Sequence, residues 1–331
     1  MPPSSSLGIS GADVDADVFD DLFSLLDIFA EIIPYVMFFQ HTFSIRRACY
    51  ANFIIDDPCL WKRYGFVDYR EVLDLACKWN FAVTIAFIPW NHRRSNSATV
   101  KLFAADQDRL SICVHGCDHT AGEFATMDKR VLDWKAALAV KRMEEHQRRF
   151  GLPYDDLMVF PQGAFSEEAM NILQENGFTA AVNSDVLACN YRGGFKVRDL
   201  MAPFTTCYGL PLFRRRYPKR IEDFAIDLLF GRPALIVQHN ADFADGWDRA
   251  VSFINQLNGL EPDLQWMPLG RVVEKMSPIG QATVRDETTL NAWHGYTVKS
   301  YLKTALRRAC CDIRDNYICK SRILRSFIPG I

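Results

Sequence analysis

Residues 51–58 read ANFIIDDP, a short, mostly apolar run that stops at two adjacent carboxylates, Asp56 and Asp57, and a proline. Aromatic and β-branched residues favour a buried strand, and Pro58 cannot extend a ladder, so the strand ends where the acids begin. Outward from this point the chain alternates. Strand-like runs fall at 51–55, 82–87 (AVTIAF), 110–114 (LSICV), 157–160, 179–183, 207–212 and 234–238 (ALIVQ). Helical periodicity fills 68–79, 98–105, 128–149, 167–176, 221–230 and 247–258. Asp68 with Glu71, and Ser166 with Glu167 and Glu168, fit helix starts, and Gly177 fits a helix stop. About seven strands in such alternation imply an α/β fold with a parallel sheet, either closed into a barrel or doubly wound.

In both architectures functional groups gather at the carboxyl ends of the strands. That rule places Asp56 and Asp57, His115 and His119 (HGCDH, 115–119), FPQG (160–163) and His239 on one rim. Two carboxylates held together in a cleft repel unless a cation or hydrogen-bond donors compensate. A metal ion is one economical compensator: two imidazoles and one carboxylate form the three-ligand set of a hydrolytic zinc site with a position left for water. The same set is the facial triad of non-haem iron enzymes, although those sites commonly sit on antiparallel β folds. The plainer alternative has the histidines capping loops and the two acids bonding to backbone N–H groups.

The segments IIDDP (54–58), HGCDH (115–119), FPQG (160–163) and LIVQH (235–239) resemble, in order, motifs of the polysaccharide deacetylases with a NodB-homology domain, over roughly residues 50–245. The resemblance implies an irregular (β/α) barrel of about seven strands and metal-dependent hydrolysis of an N-acetyl group on a carbohydrate or related amide. It also implies Asp57, His115 and His119 as ligands of a divalent ion, most simply Zn2+, with Asp56 as general base and His239 as general acid. The family's third motif often carries an arginine that steers the base, and Val159 and Phe160 stand in that region here; Gln162 replaces a tyrosine found in some members. That missing arginine keeps a second reading open, a catalytically inactive barrel that acts as a carbohydrate-binding or scaffold protein.

The chain has 331 residues, 49% of them hydrophobic, and a formal net charge of -2, a balance that does not suggest nucleic acid as a partner. Ten scattered cysteines in a chain of this size suit free thiols in a reducing compartment. The first lysine or arginine is Arg46, so no basic signal region opens the sequence, and a cytoplasmic location is expected. Residues 1–34 are expected to be a mobile tail, 35–280 the barrel and 281–331 a basic amphipathic helical extension. IIPYVMFF (32–39) is expected to pack on the core or touch a membrane surface. In the extension, Leu302, Ala305, Leu306, Ala309, Ile313 and Tyr317 recur at helical spacing among Lys299, Lys303, Arg307, Arg308 and Arg314. Docking on the barrel is the expectation, with peripheral membrane contact as the sharper alternative. Four further features have paired readings. Cys117 and Asp118 join or support the metal shell. Trp90 with Arg93 or Arg94 meets a sugar or forms a solvated loop. Asn240 and Asp242 orient His239 or close a turn, and FRRRYPKR (213–220) is a solvated surface or a phosphate-binding patch.

Overall fold

The computed structural model describes residues 48–192, 204–277 and 297–318. The expected tail 1–34 and the stretch IIPYVMFF lie outside these, as do 35–47, 193–203 and 278–280 of the expected barrel and 281–296 and 319–331 of the expected extension.

Seven strands run parallel around an irregular barrel. In chain order they are β1 (Tyr50–Asp56), β2 (Val83–Phe87), β3 (Leu110–His115), β4 (Asp155–Val159), β5 (Ala180–Asn183), β7 (Leu210–Arg214) and β8 (Ala234–His239), while β6 (Thr205–Cys207) pairs antiparallel with β7. Their spatial order is β8-β1-β2-β3-β4-β5-β7-β6, and β9 (Gln265–Trp266) adds to β1. A single parallel bridge between Arg216 and Ile236 joins the end of β7 to β8 and closes the ring. The run expected as one strand at 207–212 is therefore a hairpin: Tyr208 and Gly209, both with positive φ (51° and 84°), turn the chain between β6 and β7.

The helices expected between strands are present as α1 (Tyr69–Trp79), α2 (Ser97–Ala105), α3 (Lys129–Phe150), α4 (Glu167–Glu175), α5 (Ile221–Leu229) and α6 (Asp248–Leu260). Local chemistry sets their ends. Asp68, Asn96, Asp128 and Ser166 accept from backbone N–H groups of the first turns, and Asn80 and Gly151 stop α1 and α3 in left-handed conformations. The short helix α7 (Leu269–Met276) sends Leu269, Val272 and Val273 into an inner core with Ile54, Ala86, Cys113, Val159, Val182, Phe213 and Val237. A larger outer core lies between barrel and helices.

Period two along each strand decides what stands at the rim. Two residues beyond inward-facing Ile54, Cys113, Phe213 and Val237 come Asp56, His115, Arg215 and His239.

The last helix, α8 (Val298–Ile313), continues into a π turn over Arg314–Ile318. It docks on the barrel as expected, but by the opposite face. Thr304, Arg308, Asp312 and Asp315 are buried, whereas Leu302, Leu306, Ile313 and Tyr317 are 52–71% exposed. In this polar stripe, at spacings of four, four and three, Asp312 pairs with Arg94 and both Asp312 and Asp315 accept from Tyr64, contacts that the count of apolar positions could not reveal. Among the described residues no helix is long and apolar enough to cross a membrane.

Candidate active site

Asp57, His115 and His119 converge: one potential ligand atom from each lies within 4.8 Å of the others. Nε2 of His115 is 3.5 Å and Nε2 of His119 3.0 Å from Oδ1 of Asp57. The other nitrogen of His115, Nδ1, is 2.9 Å from the carbonyl oxygen of Val159, a distance at which it donates a hydrogen bond, so Nε2 presents a lone pair to the carboxylate. Oδ1 of Asp57 is buried and faces both imidazole Nε2 atoms without a hydrogen bond of good geometry to either. A buried carboxylate oxygen between two imidazole nitrogens is an arrangement a cation resolves, and the donor set of two imidazoles and a carboxylate suits zinc and similar divalent ions. The residues fit a metal ion.

Backbone strain is concentrated here. Asp57 (φ 82°) and His119 (φ 55°) are non-glycine residues in left-handed conformations, which persist only where surrounding structure holds them. For His119 the holder is Glu123, whose carboxylate accepts from the backbone N–H groups of Cys117 (2.8 Å), Asp118 (3.1 Å) and His119 (3.0 Å). Gly116 is required as glycine: its φ is +62°, and a Cβ would collide with Glu123 Oε1 and Pro161.

Behind this loop lies a buried ion cluster. Asp118 pairs with Lys135 and with Arg142, both from α3, and Lys135 also reaches Glu123 at 3.3 Å. Asp118 and Cys117 therefore serve the loop's packing and do not join the Asp57–His115–His119 group. Burial pushes the Asp118 carboxyl up, but the charges of Lys135 and Arg142 outweigh it and hold the group below the usual carboxylate range.

Asp56 faces a different partner. Arg215 places Nη1 2.6 Å from Oδ1 and Nη2 2.8 Å from Oδ2, a two-pronged pair in which both residues are almost fully buried. Burial raises the Asp56 carboxyl, and Arg215, His115 and His239 together bring it below its ordinary range. Nε2 of His239 lies 3.7 Å from Oδ2 of Asp56. The His239 ring stacks on Tyr217, and its backbone N–H donates to Asp242 at 2.8 Å.

Arg215 is the site residue that motif reasoning missed. It belongs to FRRRYPKR, two other members of which pair with acids: Arg216 with Asp227 and Arg220 with Asp223. Neither the surface nor the phosphate reading holds for Arg215. The signal that finds it is parity, two residues past inward-facing Phe213 on an apolar strand. Around the third motif, Val159 lends its carbonyl to His115, Phe160 stacks on Phe165 at 4.8 Å, and Gln162 accepts from the Gly122 N–H. Trp90 and its neighbours are also engaged: Trp90 packs on Tyr301 of α8, Arg93 pairs with Glu145, and Arg94 pairs with Asp312.

No protein-family model and no curated protein matches this sequence. Solved structures do. The chain's fold resembles that of the polysaccharide deacetylases. A Mycobacterium smegmatis protein assigned as a polysaccharide deacetylase aligns with TM-score 0.47 and 14% identity over 73% of this chain and 95% of its own. A family 4 acetyl xylan esterase from Clostridium thermocellum, in complex with a cobalt ion, aligns with TM-score 0.41 and 15% identity over 70% of this chain and 92% of its own. A family 4 pseudoenzyme from Bacillus anthracis aligns with TM-score 0.40 and 9% identity over 70% of this chain and 66% of its own. Likenesses at these TM-scores and identities carry no conclusion about what this chain does.

Proposed function

We propose that the protein is a divalent-metal-dependent hydrolase that removes the acetyl group from an N-acetylated sugar or a related amide. Asp57, His115 and His119 hold the ion, most simply zinc. Bound there, such an ion supplies a Lewis acid and lowers the pKa of a coordinated water. Asp56 accepts the proton of the attacking water as general base. Arg215 keeps that carboxylate ionised and points it, at some cost in basicity, because a base held by a guanidinium binds protons less readily. His239, 38% exposed at its side chain and stacked on Tyr217, stands on the open side of Asp56, where it hands a proton to the departing amine.

The observation that carries this reading is the convergence of the buried Oδ1 of Asp57 with two imidazole nitrogens, His115 Nε2 and His119 Nε2. Elemental analysis of the untagged protein tests it, with about one divalent ion expected per chain and almost none in Asp57→Ala or His115→Ala. Acetate release from acetylated sugars is expected to fall at least about 100-fold in Asp56→Asn while the metal is retained. A metal-loaded wild type inactive on a broad panel of acetylated substrates sinks the enzyme assignment and leaves the binding-protein reading. That second reading draws its support from the absent third-motif arginine, and the guanidinium that Arg215 brings to Asp56 favours the hydrolase reading.

A further inference from the structure

The stripe by which α8 meets the rim contains one charge without a counterpart. Asp312 accepts from the hydroxyl of Tyr64 (3.2 Å) and from Arg94 (2.8 Å), and Asp315 from Tyr64 (3.1 Å) and Arg314 (2.7 Å). Arg308, one turn before Asp312, is only 3% exposed, and its Nε is a buried donor without an acceptor. Among the described residues it makes neither a hydrogen bond nor an ion pair. Buried guanidinium groups are normally paired, because desolvation without compensation costs several kcal/mol. An unpaired one in a native fold calls for a reason outside the chain.

Its position supplies that reason. Arg307, the adjacent residue, donates from Nη2 to the carbonyl oxygen of Asp118 at 2.8 Å, within the loop that carries His115 and His119. Burial works against the charge of Arg308, and the Asp57 carboxylate, foremost among the groups opposing that effect, keeps its pKa above the ordinary arginine value. Arg308 thus lies on the part of α8 that is tied to the loop of His115 and His119. The neighbouring carboxylates are already committed: Asp56 to Arg215, Asp118 and Glu123 to Lys135 and Arg142, Asp312 to Arg94, Asp315 to Arg314. Asp57 alone remains, and the two imidazoles claim it for the ion. With a divalent ion in place, this corner carries positive charge that no rim carboxylate among the described residues is left to neutralise.

We propose that Arg308 binds an anionic group, a carboxylate or a phosphate ester, carried by the substrate near its acetamide. Helix α8 is then a wall of the site and selects acidic substrates. This rests on the hydrolase reading above, and deepens it by naming the substrate's charge. A guanidinium with a free Nε edge suits two acceptor oxygens of one group, the geometry in which arginine recognises carboxylate and phosphate.

The test is equilibrium binding to the full chain, measured by calorimetry after zinc content has been determined. The probes are N-acetylglucosamine, its 6-phosphate, N-acetylmuramic acid and inorganic phosphate, titrated into wild type, Arg308→Gln and Arg308→Lys. Wild type is expected to bind one of the two acidic sugars at least about tenfold more tightly than the neutral one, as one charge-assisted pair provides. The sugar preferred tells carboxylate from phosphate. In Arg308→Gln the preference shrinks to within about twofold with binding of the neutral sugar unchanged, and Arg308→Lys keeps part of it. Equal preference in wild type and Arg308→Gln, or none in wild type, overturns the proposal. Should no sugar bind, inorganic phosphate still reports on Arg308: weakening of at least about fivefold in Arg308→Gln supports the assignment, and equal or absent binding overturns it. Thermal melting separates a structural role, since loss of an unpaired buried charge leaves the midpoint unchanged or higher, and a fall in both variants overturns the proposal. Failure of the hydrolase reading looks different: absence of zinc and of acetate release, whatever Arg308 binds.

Discussion

Arg215 and Arg308 are guanidinium groups buried against the same rim, 4% and 3% exposed, and they are held in opposite ways. Arg215 follows directly on β7 of the barrel wall and meets Asp56 with both arms. Arg308 comes from a helix laid across the rim and meets no acid of its own. Paired, a buried charge fixes a neighbour's direction and ionisation; Arg308, without a hydrogen-bonded acid, rests on the field of Asp57 and keeps its donors open. The contrast separates what the barrel needs to aim its own carboxylate from what the site holds ready for an incoming group.

The largest expected effect breaks the paired side. Arg215→Met leaves Asp56 buried beside Asp57 with its counter-charge gone, and chemical denaturation is expected to show a loss of about 3–5 kcal/mol. The same substitution at Arg308 is expected to cost less than about 1 kcal/mol or to stabilise, because no pair is broken. Equal losses at the two positions would erase the distinction.

Next comes the ion cluster that supports the metal loop. The Asp118 carboxyl is held below its unfolded value, so it takes up a proton less readily in the folded chain than in the unfolded one. The stability this confers is fully present above the unfolded carboxylate pKa of about 4 and is lost as pH falls through the lower folded value. Denaturation midpoints of wild type should therefore drop below about pH 4, and Asp118→Asn should remove part of that drop while lowering stability at pH 7. A wild-type acid limb unchanged by the substitution would mean that Lys135 and Arg142 are not what holds this carboxylate.

The smallest effect concerns the loop's backbone clamp. Glu123→Gln keeps an acceptor for the N–H groups of Cys117, Asp118 and His119 but weakens each charge-assisted bond, so zinc affinity is expected to fall by about 10-fold, the scale of outer-shell changes at metal sites. Retained affinity would place the rigidity of His119 in the Lys135 and Arg142 pairs instead.

Much of this arrangement was legible along the chain. Apolar runs broken by capping residues announced the strands and helices, since those patterns act over a few neighbours. The doubled acid at 56–57 and the histidines at 115 and 119 stood at strand ends, where parallel βα folds collect their chemistry. The 207–212 run was harder, because Tyr208 adopts a positive φ that only its hairpin partner makes worthwhile. Arg215 escaped because a cluster of basic residues looks like surface until strand parity is applied. For α8 the count of apolar positions pointed to the wrong face: the hydrophobic spacing was real, and the rim it meets is charged.

By itself the sequence determined the alternating architecture, the helix ends and which residue types reach the strand termini, because these follow from short-range propensity and from the two-residue period of a strand. Only the tertiary structure decided which guanidinium serves Asp56 and which is left open, and which side of the last helix faces inward. Those outcomes depend on charges more than 150 positions apart in the chain meeting at one rim, where pairing, not periodicity, sets the energy.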